Sequence, residues 1–216
     1  SAILGTIFCR FGEKIIDNDR TTPESSDLQN LFGMMVKDRI SDVCMEVSSH
    51  SLDLDRVHGC SFDAAIFTNL SQDHLDFHGD MYSYFNSKMK LFNDCNPKKI
   101  IVNIDDKYRK QIYERSKLDK FSYGLSKMAD VCAENICNTN TGLKFDLKLP
   151  DDSIEIQCPL IGEHNLMNIL GAAATGISSG ISIEEIATAM KKFESVPGRF
   201  EEIKMGQPFL VVVDYA

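Results

Sequence analysis

Residues 63–92 read DAAIFTNLSQDHLDFHGDMYSYFNSKMKLF, and the succession of properties along them decides the fold. Asp63 to Leu70 is a short apolar run ending in Thr68-Asn69, the pattern of a strand buried on both faces. Ser71 to Asp80 is polar. Met81 to Phe92 then sets Tyr84, Phe85, Lys88, Leu91 and Phe92 at the spacing of an amphipathic helix. The same order stands on either side. Val43 to Val47 is a second apolar run, like a buried parallel strand, and Ser48-Ser49-His50 turns it into a short helix. Lys99 to Asn103 is a third, followed by a helix over Asp106 to Ser116. Strand–helix alternation of this kind implies a parallel sheet with helices on its faces.

The flanks fill in the rest. Ile3 to Phe8 reads as a strand, with Glu13 to Ile16 as its partner across a Gly12 turn. Pro23 holds Thr22 extended, and Asp27 is placed to cap a helix that carries Leu28, Leu31, Phe32 and Met35 on one face. Beyond residue 130 the pattern changes. Val131 to Ile136, Leu143 to Leu149 and Ile154 to Cys158 are short strands. Alternation of Phe145, Leu147 and Leu149 with polar residues marks a meander or side sheet exposed on one face. Helix returns at Asn165 to Ser178 and again from Ser182, where Ser182 and Glu185 form a capping box. A last strand covers Phe209 to Asp214. The expected class is α/β: a mostly parallel sheet flanked by helices, with a small antiparallel side sheet.

The chain has 216 residues, 43% of them hydrophobic, enough for one sizeable core or one domain with an appendage. Its net charge of −9 argues against non-specific nucleic-acid binding, which needs clustered Lys and Arg. Seven Cys and no Cys-x-x-Cys fit neither a disulfide framework nor a zinc knuckle. Buried, inert thiols in a reducing cytoplasm are the simpler expectation. No apolar run approaches the ~20 residues of a membrane span, and no secretory signal is visible. The chain opens inside one apolar stretch and stops inside another, Phe209 to Val213, which reads as a segment cut at both ends.

The densest polar cluster is the loop from Thr68 to Asp80. It follows a buried strand, and ligands of open α/β sheets sit outside the carboxyl ends of strands. Asp73, Asp76, Asp80, His74 and His78 make it either a metal site or a solvated acidic turn. Glu46 ends another apolar run, where a carboxylate is paired, metal-bound or at the edge of the core. Beside His74 it makes an oxygen-rich magnesium site conceivable. Lys88, by itself, is a snorkelling lysine whose stem covers apolar surface. Asn165 and Asn168 share a face at a helix start, suited to the edge of a base or to plain capping. Arg199, in the turn Val196 to Phe200, suits phosphate oxygens, and Asp214 a ribose or a salt bridge. No G-x-x-x-x-G-K-[ST] phosphate loop occurs.

Taken together these segments resemble the Mur ligases, the MurE type most closely. The resemblance runs in order through Leu4-Gly5-Thr6-Ile7, Thr21-Thr22-Pro23-Glu24-Ser25, Met45-Glu46-Val47-Ser48-Ser49-His50-Ser51-Leu52, Arg56-Val57, Phe67-Thr68-Asn69-Leu70, Asp73-His74-Leu75-Asp76-Phe77-His78-Gly79, Lys88, Gly162-Glu163-His164-Asn165, Asn168, Val196-Pro197-Gly198-Arg199 and Val213-Asp214-Tyr215-Ala216. The Glu46 and His74 segments are the specific ones. Those of Asn165 and Arg199 are shared with the wider superfamily, folylpolyglutamate synthetases included.

The resemblance implies an ATP- and magnesium-dependent amide ligase that works through an acyl phosphate in the cytoplasm of a bacterium. It would add a diamino acid, meso-diaminopimelate or L-lysine, to UDP-MurNAc-L-Ala-D-Glu in peptidoglycan synthesis. It casts Glu46 and His74 as magnesium ligands and Lys88 as a carbamylated lysine that joins them, with His74 and Lys88 serving catalysis. Thr21, Thr22, Ser48 and Arg56 would hold the uridine nucleotide substrate; Leu54 stands where some members have a Gln contact. Asn165 and Asn168 would meet adenine, Arg199 phosphate and Asp214 ribose. The whole of residues 1–216 would be a central ATP-binding domain. The phosphate loop, the UDP-binding domain and the amino-acid-binding domain would lie outside it, and the chain alone would not turn over. The competing readings are a sibling amide ligase, a metal-dependent phosphohydrolase using Glu46, His74, Asp76 and His78, and a non-catalytic nucleotide-binding module.

Overall fold

Ala2 and Leu4 face one way and Ile3 the other, and this alternation sets the first strand of a small sheet. In the computed structural model β1 (Ala2–Leu4) pairs antiparallel with β2 (Cys9–Phe11). β2 pairs in turn with β3 (Lys14–Ile16) across Gly12. On its other side β1 runs parallel to β4 (Val43–Met45). All residues are described except Asn18, Asn140, Glu194, Ser195, Arg199, Phe200, Lys204, Leu210, Tyr215 and Ala216. The single strand expected over Ile3 to Phe8 is broken. The Gly5 amide donates to the Phe8 carbonyl at 3.1 Å, closing a turn, and the hairpin partner becomes Cys9–Phe11. The cause is competition from a distant side chain: the Thr6 amide and hydroxyl both donate to the Glu46 carboxylate and leave no ladder to continue.

Residues 1–63 and 70–98 form one compact unit around this sheet. Helix α1 (Ser25–Lys37) starts after extended Glu24, and Asp27 lies in its first turn. There the Asp27 charge favours the helix dipole instead of capping it. Ser48 caps α2 (Ser49–Asp53), its side chain accepting from the Ser51 amide at 3.2 Å. The polar loop contains a short helix, α3 (Leu75–His78), and Asp80 caps α4 (Met81–Asn93). Ala2, Leu4, Cys9 and Phe11 pack against Leu28, Met35, Leu52 and Val57. Among the described residues β4 pairs with β1 alone, and Val43 is 40% exposed where a buried strand was expected.

Residues 64–69 and 99–216 form the second unit. β5 (Ala64–Phe67), β6 (Lys99–Asn103), β7 (Asp119–Gly124) and β8 (Val131–Thr139) pair in parallel. β9 (Gly142–Lys148) and β10 (Ser153–Cys158) follow antiparallel, giving the order β10-β9-β8-β7-β6-β5. The meander thus continues the main sheet, and the separate, mostly antiparallel sheet is the one at the start of the chain. β7 was not foreseen, because polar residues interrupt it. The structure satisfies them locally: the Ser122 amide donates to the Asp130 carboxylate at 2.7 Å, and Lys120 donates to the Ser116 carbonyl. α5 (Arg109–Arg115) starts late, since Asp106 accepts from the Tyr108 amide at 2.8 Å and holds a turn.

α6 (Glu163–Ser178) and α7 (Ile183–Lys191) close the core of this unit, with the Ser182–Glu185 capping box formed as expected. Tyr123, Phe145, Leu147, Ile156, Leu166 and Leu170 are its centre. Gly171 is where helix meets sheet. A methyl there would lie 3.0 Å from Ile66 Cδ1 and 3.1 Å from Tyr123 Cζ. β11 (Glu201–Glu202) pairs with β12 (Val212–Val213), which is shorter than the Phe209 to Asp214 strand expected. The seven Cys form no disulfide, but Cys44 and Cys137 are exposed, so the thiols are not uniformly buried. Among the described residues no helix is long and apolar enough to cross a membrane.

Candidate functional site

Glu46 follows β4, and its position is fixed from both ends. Its amide donates to the Leu4 carbonyl at 2.8 Å. Its Oε2 accepts from Thr6 Oγ1 at 2.6 Å and from the Thr6 amide at 3.1 Å. It is exposed, so the carboxylate lies at the edge of the core with Thr6 as its hydrogen-bond donor. Thr6 Oγ1 also lies 3.1 Å from Thr21 Oγ1. Thr22, fully buried, donates its hydroxyl to the Glu46 carbonyl at 2.9 Å and accepts from the Ser48 amide at 3.1 Å. Arg56 donates to the Thr22 carbonyl at 3.2 Å and pairs with Glu24 Oε1 at 3.0 Å. Five residues singled out in the sequence, Thr21, Thr22, Glu46, Ser48 and Arg56, are therefore joined in one hydrogen-bonded network.

The network also contains residues that the sequence did not single out. Thr6 anchors Glu46. Arg20 and Arg56 share the Glu24 carboxylate, and the Glu46 carboxylate brings the network's formal charge to zero. Burial, and then the Arg20 charge, hold Arg56 below its ordinary pKa. Its Nε is buried with no hydrogen-bond partner.

His74 begins α3 in the left-handed conformation, at φ 54°. Its amide donates to Asp73 Oδ1 at 2.8 Å, and its ring meets His50 edge-on at 5.0 Å. Lys88 projects from α4 with Nζ 5.1 Å above the Tyr84 ring. Burial pushes its pKa down, opposed by the Asp73 charge; a snorkelling lysine would keep its ordinary value. His78 is the residue the loop reading misjudged. It is buried, with Nε2 2.8 Å from Ser49 Oγ and Nδ1 3.3 Å from both Ser87 Oγ and Asp53 Oδ2. A His enclosed in this way cannot serve the metal-dependent phosphohydrolase reading.

Among the described residues no three His, Cys, Asp or Glu side chains converge as a metal site. Glu46 and His74 supply two donors. A carbamate on Lys88 would supply oxygen ligands of the kind a hard cation takes, and burial, by lowering the Lys88 pKa, favours the neutral amine that adds carbon dioxide. Glu46, His74 and such a carbamate are donor types that magnesium accepts.

In the second unit Asn165 lies on the first turn of α6 behind Gly162, which takes φ 94°. Asn165 is buried and donates Nδ2 to the Ile161 carbonyl at 2.8 Å. That amide hydrogen is committed to its own chain, while Asn168 is exposed one turn on. Asp214 is exposed just after β12. Arg199 lies outside the described residues.

Two sheets, one mixed and helix-flanked, with a polar network at a strand end, define an α/β domain. Residues 1–176 match the model of the Mur ligase middle domain, and the chain belongs to that family. It is 46% identical over 216 residues to the UDP-N-acetylmuramoyl-L-alanyl-D-glutamate–2,6-diaminopimelate ligase 1 of Clostridium acetobutylicum, covering 99% of this chain and 44% of that protein. It is 42% identical over 219 residues to the corresponding ligase of Solibacter usitatus, covering 100% of this chain and 44% of that protein. The chain thus spans under half the length of these curated relatives. A solved structure of a ligase of the same name superposes with a TM-score of 0.86 at 28% identity, over 100% of this chain and 45% of the other.

Proposed function

We propose that the chain is the middle domain of a MurE-type ligase. The longer protein would couple ATP cleavage to an amide bond between the terminal carboxylate of UDP-MurNAc-L-Ala-D-Glu and a diamino acid. The observation that carries this reading is the Thr21–Thr22–Glu46–Ser48–Arg56 network, on a chain matched end to end by diaminopimelate ligases. The diaminopimelate of those names supports that amino acid over lysine. On this reading the domains that hold the uridine nucleotide and the incoming amino acid belong to the rest of the longer protein, and the chain alone is inactive.

Each residue then has a task its surroundings support. Ser48 and Arg56, fixed through Thr22, orient the substrate, the guanidinium offering charge to its negative groups. Glu46, His74 and carbamylated Lys88 hold magnesium, which supplies charge neutralisation for phosphoryl transfer. Asn168, Arg199 and Asp214 contribute to nucleotide binding, with Asn165 acting through its remaining carbonyl oxygen. The test is phosphate release from ATP by the full-length protein with magnesium, UDP-MurNAc-L-Ala-D-Glu and either diaminopimelate or L-lysine. Release that requires the uridine nucleotide and one amino acid supports the reading. No release from a folded protein with either one removes it in favour of another amide ligase.

A further inference from the structure

Three helices of the first unit meet at one imidazole. From α2 come Ser49 and Asp53, from α3 His78, and from α4 Ser87 and Lys90. His78 Nε2 lies 2.8 Å from Ser49 Oγ, and Nδ1 lies 3.3 Å from Asp53 Oδ2. Ser87 Oγ donates to Asp53 Oδ2 at 2.7 Å, and Lys90 closes the set by donating to Asp53 Oδ1 at 2.6 Å. The His78 ring stacks on Tyr84 at 4.9 Å, and Tyr84 in turn underlies the Lys88 ammonium at 5.1 Å.

The order of hydrogen bonds defines the tautomer. Asp53 is a pure acceptor, so Nδ1 carries the proton and Nε2 accepts from the Ser49 hydroxyl. Ser49, His78 and Asp53 follow one another as in a nucleophilic relay. Yet Ser49 is 2% exposed and the His78 side chain 1%, so no substrate reaches the hydroxyl. The arrangement holds elements together.

What it holds is specific. Ser48 directly precedes Ser49. His74 stands one helical turn before His78, whose amide donates to the His74 carbonyl at 3.0 Å. Lys88 directly follows Ser87. We infer that His78 is a positioning residue for the ligase reaction, a buried pin that sets Ser48, His74 and Lys88 in register with one another through α2, α3 and α4. The inference rests on the MurE-type reading of those three residues. A misplacement of about 1 Å at reacting groups costs on the order of 100-fold in rate, so a pin can matter without touching substrate.

Its two sides are separable. In His78→Gln the side-chain amide can still reach Ser49 but not Asp53 and Ser87. Ser49→Ala breaks the other bond and leaves the His78 contacts with Asp53 on α2 and Ser87 on α4 whole. In the full-length protein with ADP, titration of Mn2+ followed by electron paramagnetic resonance reads the metal side. The KM for the uridine nucleotide substrate reads Ser48. His78→Gln is expected to weaken Mn2+ binding at least tenfold and to change that KM less than threefold. Ser49→Ala is expected to do the reverse, both at a thermal midpoint close to that of the parent. Variants that lower the midpoint but leave Mn2+ binding, KM and kcat unchanged would show a merely structural role and overturn the inference. If His78→Gln fails to fold, Ser49→Ala decides by the same KM-against-Mn2+ split. A parent protein that binds Mn2+ but has no ligase turnover overturns the functional reading alone, and the Mn2+ arm then decides the positioning role by itself.

Discussion

The Ser48 amide donates to Thr22 Oγ1 across 3.1 Å, and Thr22 passes its own hydrogen to the Glu46 carbonyl at 2.9 Å. A fully buried hydroxyl thus ties the loop before α1 to the end of β4, and none of its bonding capacity faces solvent. Thr22→Val keeps the shape and strands both partners. Leaving buried polar groups unpaired costs about 1–3 kcal/mol. Chemical denaturation should show a loss of that size for Val and a smaller one for Thr22→Ser. An unchanged midpoint for Thr22→Val would show that the hydroxyl instead faces ligand.

His74 pays for its place in backbone conformation. At φ 54° it sits where Asn is better tolerated than other non-glycine residues. His74→Asn should therefore leave the thermal midpoint within a few degrees of the parent while removing ligase turnover from the full-length protein. Turnover retained at more than a tenth of the parent value would remove His74 from the chemistry.

Lys88 should carry a carbamate. Burial depresses its amine, and only the free amine adds carbon dioxide, releasing one proton as the anion forms. Carbon-13 NMR of the full-length protein equilibrated with labelled bicarbonate and magnesium should show one carbamate resonance that disappears in Lys88→Met. The same resonance persisting in that variant would place the modification elsewhere.

Tyr123 predicts an alkaline limit. Burial, with Asp106 adding to it, raises its phenol above the ordinary value near 10. The unfolded chain then loses this proton before the folded one does. Stability from this source is complete below pH 10 and declines as pH rises beyond it. Tyr123→Phe should flatten that decline in a series of denaturation curves, and a slope equal to the parent's would assign it to other groups.

Against the same ring, Gly171→Ala places a methyl 3.0–3.1 Å from Ile66 and Tyr123. Overpacking of this sort costs about 1–3 kcal/mol and should lower the denaturation midpoint. A rise would mean that the ring has room to move.

Legibility in the sequence followed the range of the interaction. β6 was read to the residue, because Lys99-Ile100-Ile101-Val102-Asn103 is a run of one kind between polar ends. The Ser182–Glu185 capping box is a contact over three residues and was equally plain. The break after Leu4 was not, since its cause is Glu46, forty residues away. His78 looked like a loop ligand because its partners lie on two other helices, and their spacing leaves no local signature. Asn165 and Asn168 share a helical face, but that face lies at the border of the buried side, so one amide bonds back to Ile161 and the other is exposed, a difference that spacing alone does not carry. Thr21, Thr22, Ser48, Arg56, Glu46, His74 and Lys88 were found as a set through the family resemblance. Hydrogen bonds and charges place the first five together, and local propensity alone would not have.

The path of the chain between the two units has a consequence for synthesis on the ribosome. Residues 64–69 belong to the second unit, yet they are made before residues 70–98, which return to the first. Among the described residues β5 pairs with β6, and β6 begins only at Lys99. As the nascent polypeptide emerges, Ala64-Ala65-Ile66-Phe67 is made some thirty residues before that ladder can form. During that interval the apolar segment is open to chaperone capture and to pairing with the wrong strand.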